Sequence, residues 1–404
     1  MIHNCYKRKM SANERTLLLV DALYPPIVNQ FILEGEGVLD QTRWQEAVSM
    51  AAAANPGMRV VLKGFSGGAA WVDSGQSPPV REVDGSAWDG LSPDGAPFLY
   101  DRLDAYHGPT AEVLLIHGDP PRVAFRSLHA SVDGRGHLYF LKEVFRALNG
   151  KTLAGSDSTL TDYQFAKRFN KGFRKRFPDE HIAPTGKACG NESGVVWKRM
   201  RLEGKHPNIL QQICILTARE ARSQNQGVVR FGIPVDMRLH DRKIKSTGNL
   251  VFGVTIEVTP QSTVSTLEKD ILKKIQDKED LKIFRGEELY RYLPLSIMKW
   301  GYKNVMEKRH RTGLYNITAY FSNIGYIQIG PLQGAGFKTT SFFPIPPYVE
   351  ALPFFGALSS YGDPEKGYFQ ELVITLPRRL ATHGRFNGIT KRLKEGLENF
   401  REAT

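Results

Sequence analysis

The sequence predicts an α/β protein built from two lobes. Strand-like and helix-like segments alternate over about residues 15–150 and resume after about residue 195. A chain of 404 residues with 41% hydrophobic content can bury a large core, and two domains are the expected division at this length. A stretch rich in Gly, Ser, Lys and Pro separates the two parts. We therefore predict a first lobe over 1–160, a linker with a basic helix over 161–194, and a second lobe over 195–404.

Each predicted element of the first lobe rests on its own hydrophobic pattern. Strands are expected at 30–35, 58–63, 111–117 and 122–128, with a helix at 42–54. The turn between the last two strands has the sequence GDPP. A further helix follows residue 134, because Leu141, Val144, Phe145 and Leu148 are spaced as one apolar helical face, and Asn149 with Gly150 supplies its stop.

The second lobe shows the same mixture of elements. Strands are expected near 194–202, 228–234, 318–329 and 368–375. A helix over about 264–278 would carry Leu267, Ile271 and Ile275 on one face, and a second helix over about 385–401 would close the chain. No sequence repeat relates the two lobes.

The hexapeptide HASVDG at residues 129–134 stands between a predicted strand and a predicted helix. A strand, a short loop and a helix can hold the His129 imidazole rigidly at the end of a sheet. Histidine suits a general base because its ordinary pKa of about 6.5 lies close to working pH. Asp133 lies where it can cap the following helix, which would stabilise the helix start by roughly 1 kcal/mol. From the residues alone a hydrogen-bonded structural histidine is the favoured interpretation, because most histidines carry no chemistry.

The hexapeptide resembles the HHxxxDG motif of the CoA-dependent acyltransferase superfamily. That superfamily includes chloramphenicol acetyltransferase, alcohol acetyltransferases, wax-ester synthases and the condensation domains of non-ribosomal peptide synthetases. Three further segments resemble superfamily landmarks in the expected order: NPGMR at 55–59 with Trp71, IPVDMR at 233–238 followed by STGN at 246–249, and FSNIG at 321–325. One departure is clear, because Leu128 stands where the family has its first, supporting histidine.

This resemblance implies a fold and a set of site residues. The fold would be two chloramphenicol acetyltransferase-like halves, each a two-layer α+β sandwich, forming a pseudo-dimer with an active-site tunnel between them. His129 would be the catalytic base within a motif completed by Asp133 and Gly134. Asp133 would be structural and would pair with Arg238 of the other half, as a buried bidentate clamp whose loss strands a charge.

The resemblance also implies acyl transfer from a thioester to a hydroxyl or amine of a natural-product or lipid acceptor. The donor would be acyl-CoA or an acyl or peptidyl carrier protein, with no metal and no other cofactor. Asn249, Ser322 and Asn323 are candidate oxyanion or substrate-binding residues, although hydrogen bonding at turns or strand ends explains such residues equally well. A non-catalytic scaffold that binds a carrier protein is the alternative function, and Leu128 is its main support.

The formal net charge of +12 favours an anionic partner: CoA, an acidic carrier protein, a lipid surface or nucleic acid. Much of the excess lies in residues 167–176, through which Phe165, Phe169, Phe173 and Phe177 recur every four residues. This spacing predicts a helix with an aromatic stripe opposite a basic face, either simply docked with solvated lysines outside or in contact with one of those partners. Nucleic acid is the least favoured, because no zinc-finger, RNP or helix-turn-helix signature accompanies the charge.

Two other patterns point to chemistries that we do not expect. The segment GFSGG at 64–68 fits the nucleophile elbow of serine hydrolases, but turn-forming residues rather than a helix follow it. His129, Asp133 and His137 are spaced by four residues, which could suggest a metal site. Gly134 and Gly136 place the helix start after His129, so we expect no metal there and expect His137 to face solvent or the lobe interface.

The remaining features predict a cytoplasmic protein. No apolar run reaches the roughly 18 residues needed for a membrane span. Residues 1–18 contain no apolar region typical of a signal peptide. The three cysteines, Cys5, Cys189 and Cys214, are odd in number and lack metal-type spacing, which favours a reducing compartment.

Overall fold

The computed structural model describes residues 6–363 and 367–400. The elements up to residue 194 are β1 (Lys7–Lys9), α1 (Ala12–Leu23), β2 (Val28–Gly37), α2 (Gln41–Ala54), β3 (Val60–Lys63), β4 (Ala70–Asp73), β5 (Val80–Asp84), β6 (Ala111–His117), β7 (Arg122–Leu128), α3 (Gly134–Leu148), α4 (Asp162–Lys167), β8 (Phe173–Arg174) and β9 (His181–Ile182).

The elements after residue 194 are β10 (Val195–Glu203), α5 (Ile209–Gln224), β11 (Arg230–Asp236), β12 (Val251–Glu257), α6 (Val264–Gln276), β13 (Ile283–Phe284), α7 (Leu295–Thr312), β14 (Leu314–Tyr315), β15 (Ala319–Ile327), β16 (Gln333–Gly334), β17 (Phe337–Ile345), β18 (Phe355–Asp363), β19 (Gly367–Pro377), α8 (Arg378–Ala381) and α9 (Arg385–Glu398).

Two six-stranded sheets organise the chain. The first has the strand order β16-β17-β2-β7-β6-β5, and the second has the order β10-β19-β18-β15-β11-β12. Helices α2 and α3 contribute their apolar faces to the core of the first sheet, and α5, α6 and α9 contribute theirs to the core of the second. The predicted two-lobed α/β architecture is confirmed, since each sheet buries its face under its own helices.

The second part of the chain contributes strands β16 and β17 to the sheet of the first lobe. Strand β17 pairs antiparallel with β2, so that Phe342 lies opposite Leu33 and Phe343 opposite Ile32. Residues 333–345, which the sequence assigns to the second lobe, are therefore hydrogen-bonded into the sheet of the first.

A buried ion network also joins the two sheets. Arg199 on β10 places Nη1 2.9 Å from Oε1 of Glu34 on β2 and Nη2 2.8 Å from Oε1 of Glu371 on β19. Burial alone would raise the pKa of Glu34, but the charges and hydrogen bonds of Arg199 and Arg122 lower it to about 2. Glu34 is therefore ionised, and its paired charge fixes one sheet against the other.

Most predicted elements are found at their expected places. The strands predicted at 111–117 and 122–128 are β6 and β7 with the same bounds, and the helix that follows ends at Leu148. The capping role of Asp133 is also observed, since its Oδ1 accepts a hydrogen bond from the backbone N–H of Gly136.

The predicted long basic helix is wrong. Helix α4 ends at Lys167, and Asn170 and Gly172 then adopt left-handed φ angles of 45° and 79°. Phe173 pairs in a short parallel ladder with Ile283 instead. Phe165 is fully buried whereas Phe173 is 56% exposed, so the four phenylalanines do not form one stripe.

Other sequence expectations can be placed on this fold. Ser66 lies in a short 3-10 turn between β3 and β4, as expected for a turn rather than a nucleophile elbow, and its Oγ donates to the Tyr292 carbonyl oxygen at 3.0 Å. Cys214 is buried and Cys189 half-buried, both as free thiols, and Cys5 lies outside the described residues. Among the helices that the structure describes, none combines the length and apolarity needed to cross a bilayer.

Candidate active site

The side chain of His129 is oriented by a backbone carbonyl of its own loop. Its Nδ1 lies 3.2 Å from the carbonyl oxygen of Val132, which can only accept, so Nδ1 carries the proton. Nε2 then presents its lone pair, and no described residue hydrogen-bonds to it. Burial lowers the pKa of this half-buried imidazole below its ordinary value, and the nearby Asp133 charge opposes the shift only in part. A neutral imidazole with an accepting Nε2 is the form that a general base requires.

The backbone of the His129 loop is held from both lobes. The N–H of His129 donates to the Ile27 carbonyl at 3.0 Å, and the carbonyl of His129 accepts from Nδ2 of Asn249 at 2.9 Å. Nδ2 of Asn29 donates to the Val132 carbonyl at 2.7 Å. The same carbonyl that orients the imidazole is therefore itself fixed by a buried amide.

Leu128, at the position of the family's first histidine, is buried in an apolar cluster with Val28, Trp71 and Ala130. Its carbonyl oxygen accepts from the Ser131 hydroxyl at 3.0 Å. The loop is thus braced by hydrogen bonds to its backbone, and position 128 contributes apolar packing.

Asp133 joins the start of α3 to the second lobe. Besides capping α3, its Oδ2 accepts hydrogen bonds from the backbone N–H of Leu250 at 2.6 Å and from Nη1 of Arg238 at 3.0 Å. Arg238 uses Nη1 alone for this carboxylate, so the pair is not the bidentate clamp that was expected. Its Nη2 instead donates to the carbonyls of Ser246 and Gly248, at 3.0 and 2.7 Å.

The segment 246–249 of the second lobe lies directly against α3. A Cβ atom on Gly136 would come within 2.3 Å of the Thr247 carbonyl oxygen, so this close approach of two backbones requires glycine. Gly134 lies beside strand β15, where its Cβ would meet Ile324 at 3.6 Å. The lobes therefore meet at the first turn of α3, immediately after the His129 loop.

The three candidate oxyanion residues have different surroundings. Asn249 is fully buried, gives Nδ2 to the His129 carbonyl and leaves its Oδ1 without a partner among the described residues. Asn323 is exposed on β15, and its Oδ1 accepts from the Gly325 N–H at 2.9 Å within a strand irregularity. Ser322 is half-buried on the same strand. The structure brings Asn249 alone into hydrogen-bond contact with the His129 loop.

His137 is not the surface residue that we expected. It is 1% exposed, its Nε2 lies 3.0 Å from the Phe125 carbonyl oxygen, and its ring packs edge-on against Phe31. Burial lowers its pKa to about 4, so it is neutral at physiological pH. The expectation failed because this side of the first turn of α3 packs against β2 and β7, which carry Phe31 and Phe125. Within residues 6–363 and 367–400, no three His, Cys, Asp or Glu side chains are grouped as a metal site would need.

Sequence reasoning missed Arg8. Its Nη2 donates to the Ser131 carbonyl at 2.8 Å, and its Nη1 pairs with the buried carboxylate of Glu14. Glu14 also accepts from the Trp71 indole N–H at 3.3 Å. Arg8 and Ser131 are 123 positions apart in the sequence, so no local pattern could have revealed this contact.

No protein-family model and no curated protein matches the sequence. Solved structures do match. A mutant of the starter condensation domain of rhizomide synthetase RzmA, in complex with C8-CoA and Leu-SNAC, aligns with a TM-score of 0.64 and 13% identity over 97% of this chain and 94% of that chain. The first condensation domain of the calcium-dependent antibiotic synthetase, in complex with a substrate analogue, aligns with a TM-score of 0.62 and 13% identity over 97% and 96%.

The condensation domain of the Monacolin K polyketide synthase MokA also aligns, with a TM-score of 0.58 and 11% identity over 97% of this chain and 98% of that one. The chain therefore has the fold of condensation domains. This similarity covers both lobes and agrees with the resemblance that the motifs indicated.

Proposed function

We propose that the protein is an acyltransferase that moves an acyl group from a thioester to a hydroxyl or amine, with His129 as general base. The observation that carries the proposal is the orientation of the His129 ring. Val132 engages Nδ1, which leaves the lone pair of Nε2 available. The depressed pKa keeps that nitrogen unprotonated at neutral pH.

The proposed reaction requires neither a metal ion nor a covalent intermediate on the enzyme. The acceptor O–H or N–H transfers its proton to Nε2 of His129 as the acceptor atom bonds to the thioester carbonyl carbon. The tetrahedral intermediate then collapses, the C–S bond breaks, and the imidazolium returns the proton to the leaving thiolate. Proton transfer of this kind contributes about 10²–10⁴-fold to the rate, and alignment of the two substrates supplies much of the rest.

The other motif residues would act by holding His129. Asp133 and Gly134 begin α3, and Arg238 ties Asp133 to the second lobe. We assign Asn249 to holding the His129 loop rather than to the oxyanion, because its amide donates to the His129 carbonyl. Ser322 and Asn323 stay candidates for the developing oxyanion, since β15 lies beside Gly134.

The donor that we propose is acyl-CoA or an acyl or peptidyl carrier protein, reaching His129 through a tunnel between the lobes. Two of the similar solved structures hold C8-CoA or a substrate analogue, which supports a thioester donor. The acceptor would be an alcohol or an amine of a natural product or lipid. Cytoplasmic location remains a prediction from the cysteine pattern.

The test is a mass-spectrometric screen of acyl-CoAs against a panel of alcohols and amines, with free thiol release followed in parallel. For any pair that reacts, His129→Ala should lower kcat by at least about 10²-fold. His107→Ala is the matched control, because His107 is an exposed histidine whose Nδ1 lies 2.9 Å from Oδ2 of Asp104 in its own turn. The activity of this variant should equal that of the wild type. An active His129→Ala protein would contradict the assignment.

A scaffold that presents a carrier-bound substrate without catalysis is the second candidate. Leu128, packed among apolar side chains in place of the first motif histidine, favours it. The two candidates separate cleanly. A scaffold would release no thiol from acyl-CoA or from acyl carrier protein, whereas the acyltransferase would release thiol from at least one of them and lose that activity in His129→Ala.

A further inference from the structure

Large apolar side chains project from one side of the molecule that the proposed reaction does not use. Phe65 is 86% exposed, Trp300 72%, Leu289 68%, Tyr292 62% and Ile297 58%. Single exposed apolar residues are normal on soluble proteins, but a group of five large ones marks an interaction surface. We call this group the apolar face.

Hydrogen bonds show that the apolar face is continuous. The β3–β4 turn that carries Phe65 lies against the segment at 287–292, because Arg291 Nη2 donates to the Gly67 carbonyl at 2.9 Å and Ser66 Oγ donates to the Tyr292 carbonyl at 3.0 Å. The chain then passes through Pro294 into α7, which carries Ile297 and Trp300.

Helix α7 connects the apolar face to a basic surface. Ile297, Trp300, Asn304, Lys308 and Arg311 follow helical spacing along one side, and all five are exposed. The outer side of the helix is therefore apolar in its first half and basic in its second. Over its whole length α7 has five Lys and Arg residues against the single acid Glu307.

The basic segment 167–176 borders the same surface. It has six Lys and Arg residues and no acid. Nη2 of Arg176 donates to the Tyr290 hydroxyl at 2.6 Å, and the guanidinium of Arg285 lies 5.4 Å from the centre of the exposed Phe173 ring. The basic segment 167–176 and the basic second half of α7 therefore both border the apolar face.

We propose that this surface binds the headgroup region of an anionic phospholipid bilayer. The apolar side chains would enter the boundary between headgroups and acyl chains, and the lysines and arginines would contact the lipid phosphates. Tryptophan and tyrosine favour that boundary because their rings are apolar with a polar edge. The side chains project outward from three separate segments, and a fluid bilayer accommodates such projections without a complementary groove. The surface would hold the protein peripherally, independent of the acyl-transfer proposal.

The protein contains its own reporter for this contact. Of the five tryptophans, Trp44, Trp71, Trp88 and Trp197 are at most 2% exposed, and Trp300 is 72% exposed. Titration with vesicles of phosphatidylcholine containing about one-third phosphatidylglycerol should shift the tryptophan emission to shorter wavelength and protect it from acrylamide. Vesicles of phosphatidylcholine alone should bind at least about tenfold more weakly, since each basic residue near an anionic surface contributes about fivefold.

Two variants and two controls test the two halves of the surface by vesicle flotation. Leu289→Ser with Ile297→Ser removes apolar contact, and Lys308→Glu with Arg311→Glu reverses the charge; each pair should lower binding by about tenfold or more. Met50→Ser and Arg43→Glu change an exposed apolar and an exposed basic residue on α2, away from this surface, and should bind as the wild type does. Thermal melts establish that each variant is folded.

Three results would overturn the proposal. The wild type could fail to float with anionic vesicles, Trp300 emission could stay unshifted on binding, or both variant pairs could bind as tightly as the controls. If an acidic carrier protein shifted Trp300 emission while vesicles did not, the surface would be a protein-binding one and the lipid assignment would be wrong.

Discussion

Nη1 of Arg238 lies 3.0 Å from Oδ2 of Asp133, which joins residues 105 positions apart and on opposite lobes. The same Oδ2 accepts the Leu250 N–H, and Oδ1 accepts the Gly136 N–H. One carboxylate therefore fixes the start of α3 to the second lobe. Because the His129 loop leads directly into α3, the position of the proposed base depends on contact between the lobes.

Replacing Arg238 with Met should destabilise the protein. The change leaves a buried carboxylate without its cation and leaves the Ser246 and Gly248 carbonyls without their donor. We expect the free energy of unfolding to fall by about 3 kcal/mol, at the lower end for a broken buried pair because two backbone N–H groups still bind Asp133. Urea denaturation measures this change.

A double-mutant cycle provides the control for the Arg238 prediction. Asp133→Asn alone and the combined variant complete the cycle, and the combined loss should be smaller than the sum of the single losses. Additive losses would show that the two side chains do not interact, whatever their separation in the structure.

Local pattern was sufficient to predict the elements that carry the proposed base. Strand β7, the loop and α3 are contiguous, and their apolar spacing and the Asp133 cap are visible within about 30 residues. Asn249 and Arg238 were found through the superfamily resemblance. Arg8 and Asn29 were missed because their contacts to the loop link distant residues and carry no spacing signal.

The predicted long basic helix and the assignment of β17 to the second lobe were wrong for the same physical reason, because contacts between distant residues decide both structures. Phenylalanines every four residues predicted a long basic helix, but the left-handed backbone at Asn170 and Gly172 and the pairing of Phe173 with β13 overrode that pattern. The pairing of β17 with β2 is likewise a contact between residues distant in the sequence, which leaves no local pattern.

The pH dependence of acyl transfer should report the state of His129. Burial lowers the pKa of its imidazole below the ordinary value of 6.5, so the base form is present at neutral pH. We expect kcat/KM to be level above pH 6.5 and to fall tenfold per pH unit only once the pH passes below the lowered pKa.

Circular dichroism at each pH is needed beside that profile, because His137 is buried as a neutral imidazole with a pKa of about 4. The unfolded chain takes up this proton near pH 6.5, so stability decreases as the pH falls from there toward 4. An acid limb of kcat/KM above pH 6.5, in protein shown to be folded, would contradict the predicted direction for His129.

Asn249→Ala should impair catalysis through the loop. It removes the donor to the His129 carbonyl, and an unpaired buried carbonyl costs about 1–3 kcal/mol. We expect kcat to fall by about tenfold or more with little change in KM, because small displacements of a base are costly. A brace also affects the imidazole itself, so the His129 pKa measured by NMR should change. An unchanged His129 pKa with the same loss of kcat would favour the oxyanion role for Asn249 instead.

Leu128→His would restore the superfamily pattern but not improve the enzyme. Leu128 is fully buried beside Val28 and Trp71, where an imidazole finds apolar surroundings. We expect a loss of about 1–3 kcal/mol in unfolding free energy and no gain in kcat. Leu128→Met, a conservative apolar change, is the control and should cost less than about 1.5 kcal/mol. A large gain in acyl transfer by Leu128→His would instead support the view that the natural chain is a scaffold.

Asp162→Asn should be more stable than the wild type, by a margin that grows as the pH rises from about 4 to about 7. Burial raises the pKa of Asp162 to about 7, and the charges of Glu14 and Glu287 act in the same direction. The folded protein thus retains this proton to higher pH than the unfolded chain, whose aspartate titrates near 3.9. The contribution of protonated Asp162 to the free energy of unfolding is complete below about pH 4 and is lost at about 1.4 kcal/mol per pH unit up to about pH 7.

The amide introduced by Asp162→Asn cannot lose a proton, so the melting temperatures of variant and wild type should agree near pH 4 and separate as the pH approaches 7. Equal melting temperatures across that range would show that Asp162 titrates normally. The effect bears on the proposed active site, because Glu14 holds Arg8 and Arg8 holds the Ser131 carbonyl of the His129 loop. Ionisation of Asp162 would place a second negative charge near Glu14, so the variant should also retain activity to higher pH than the wild type.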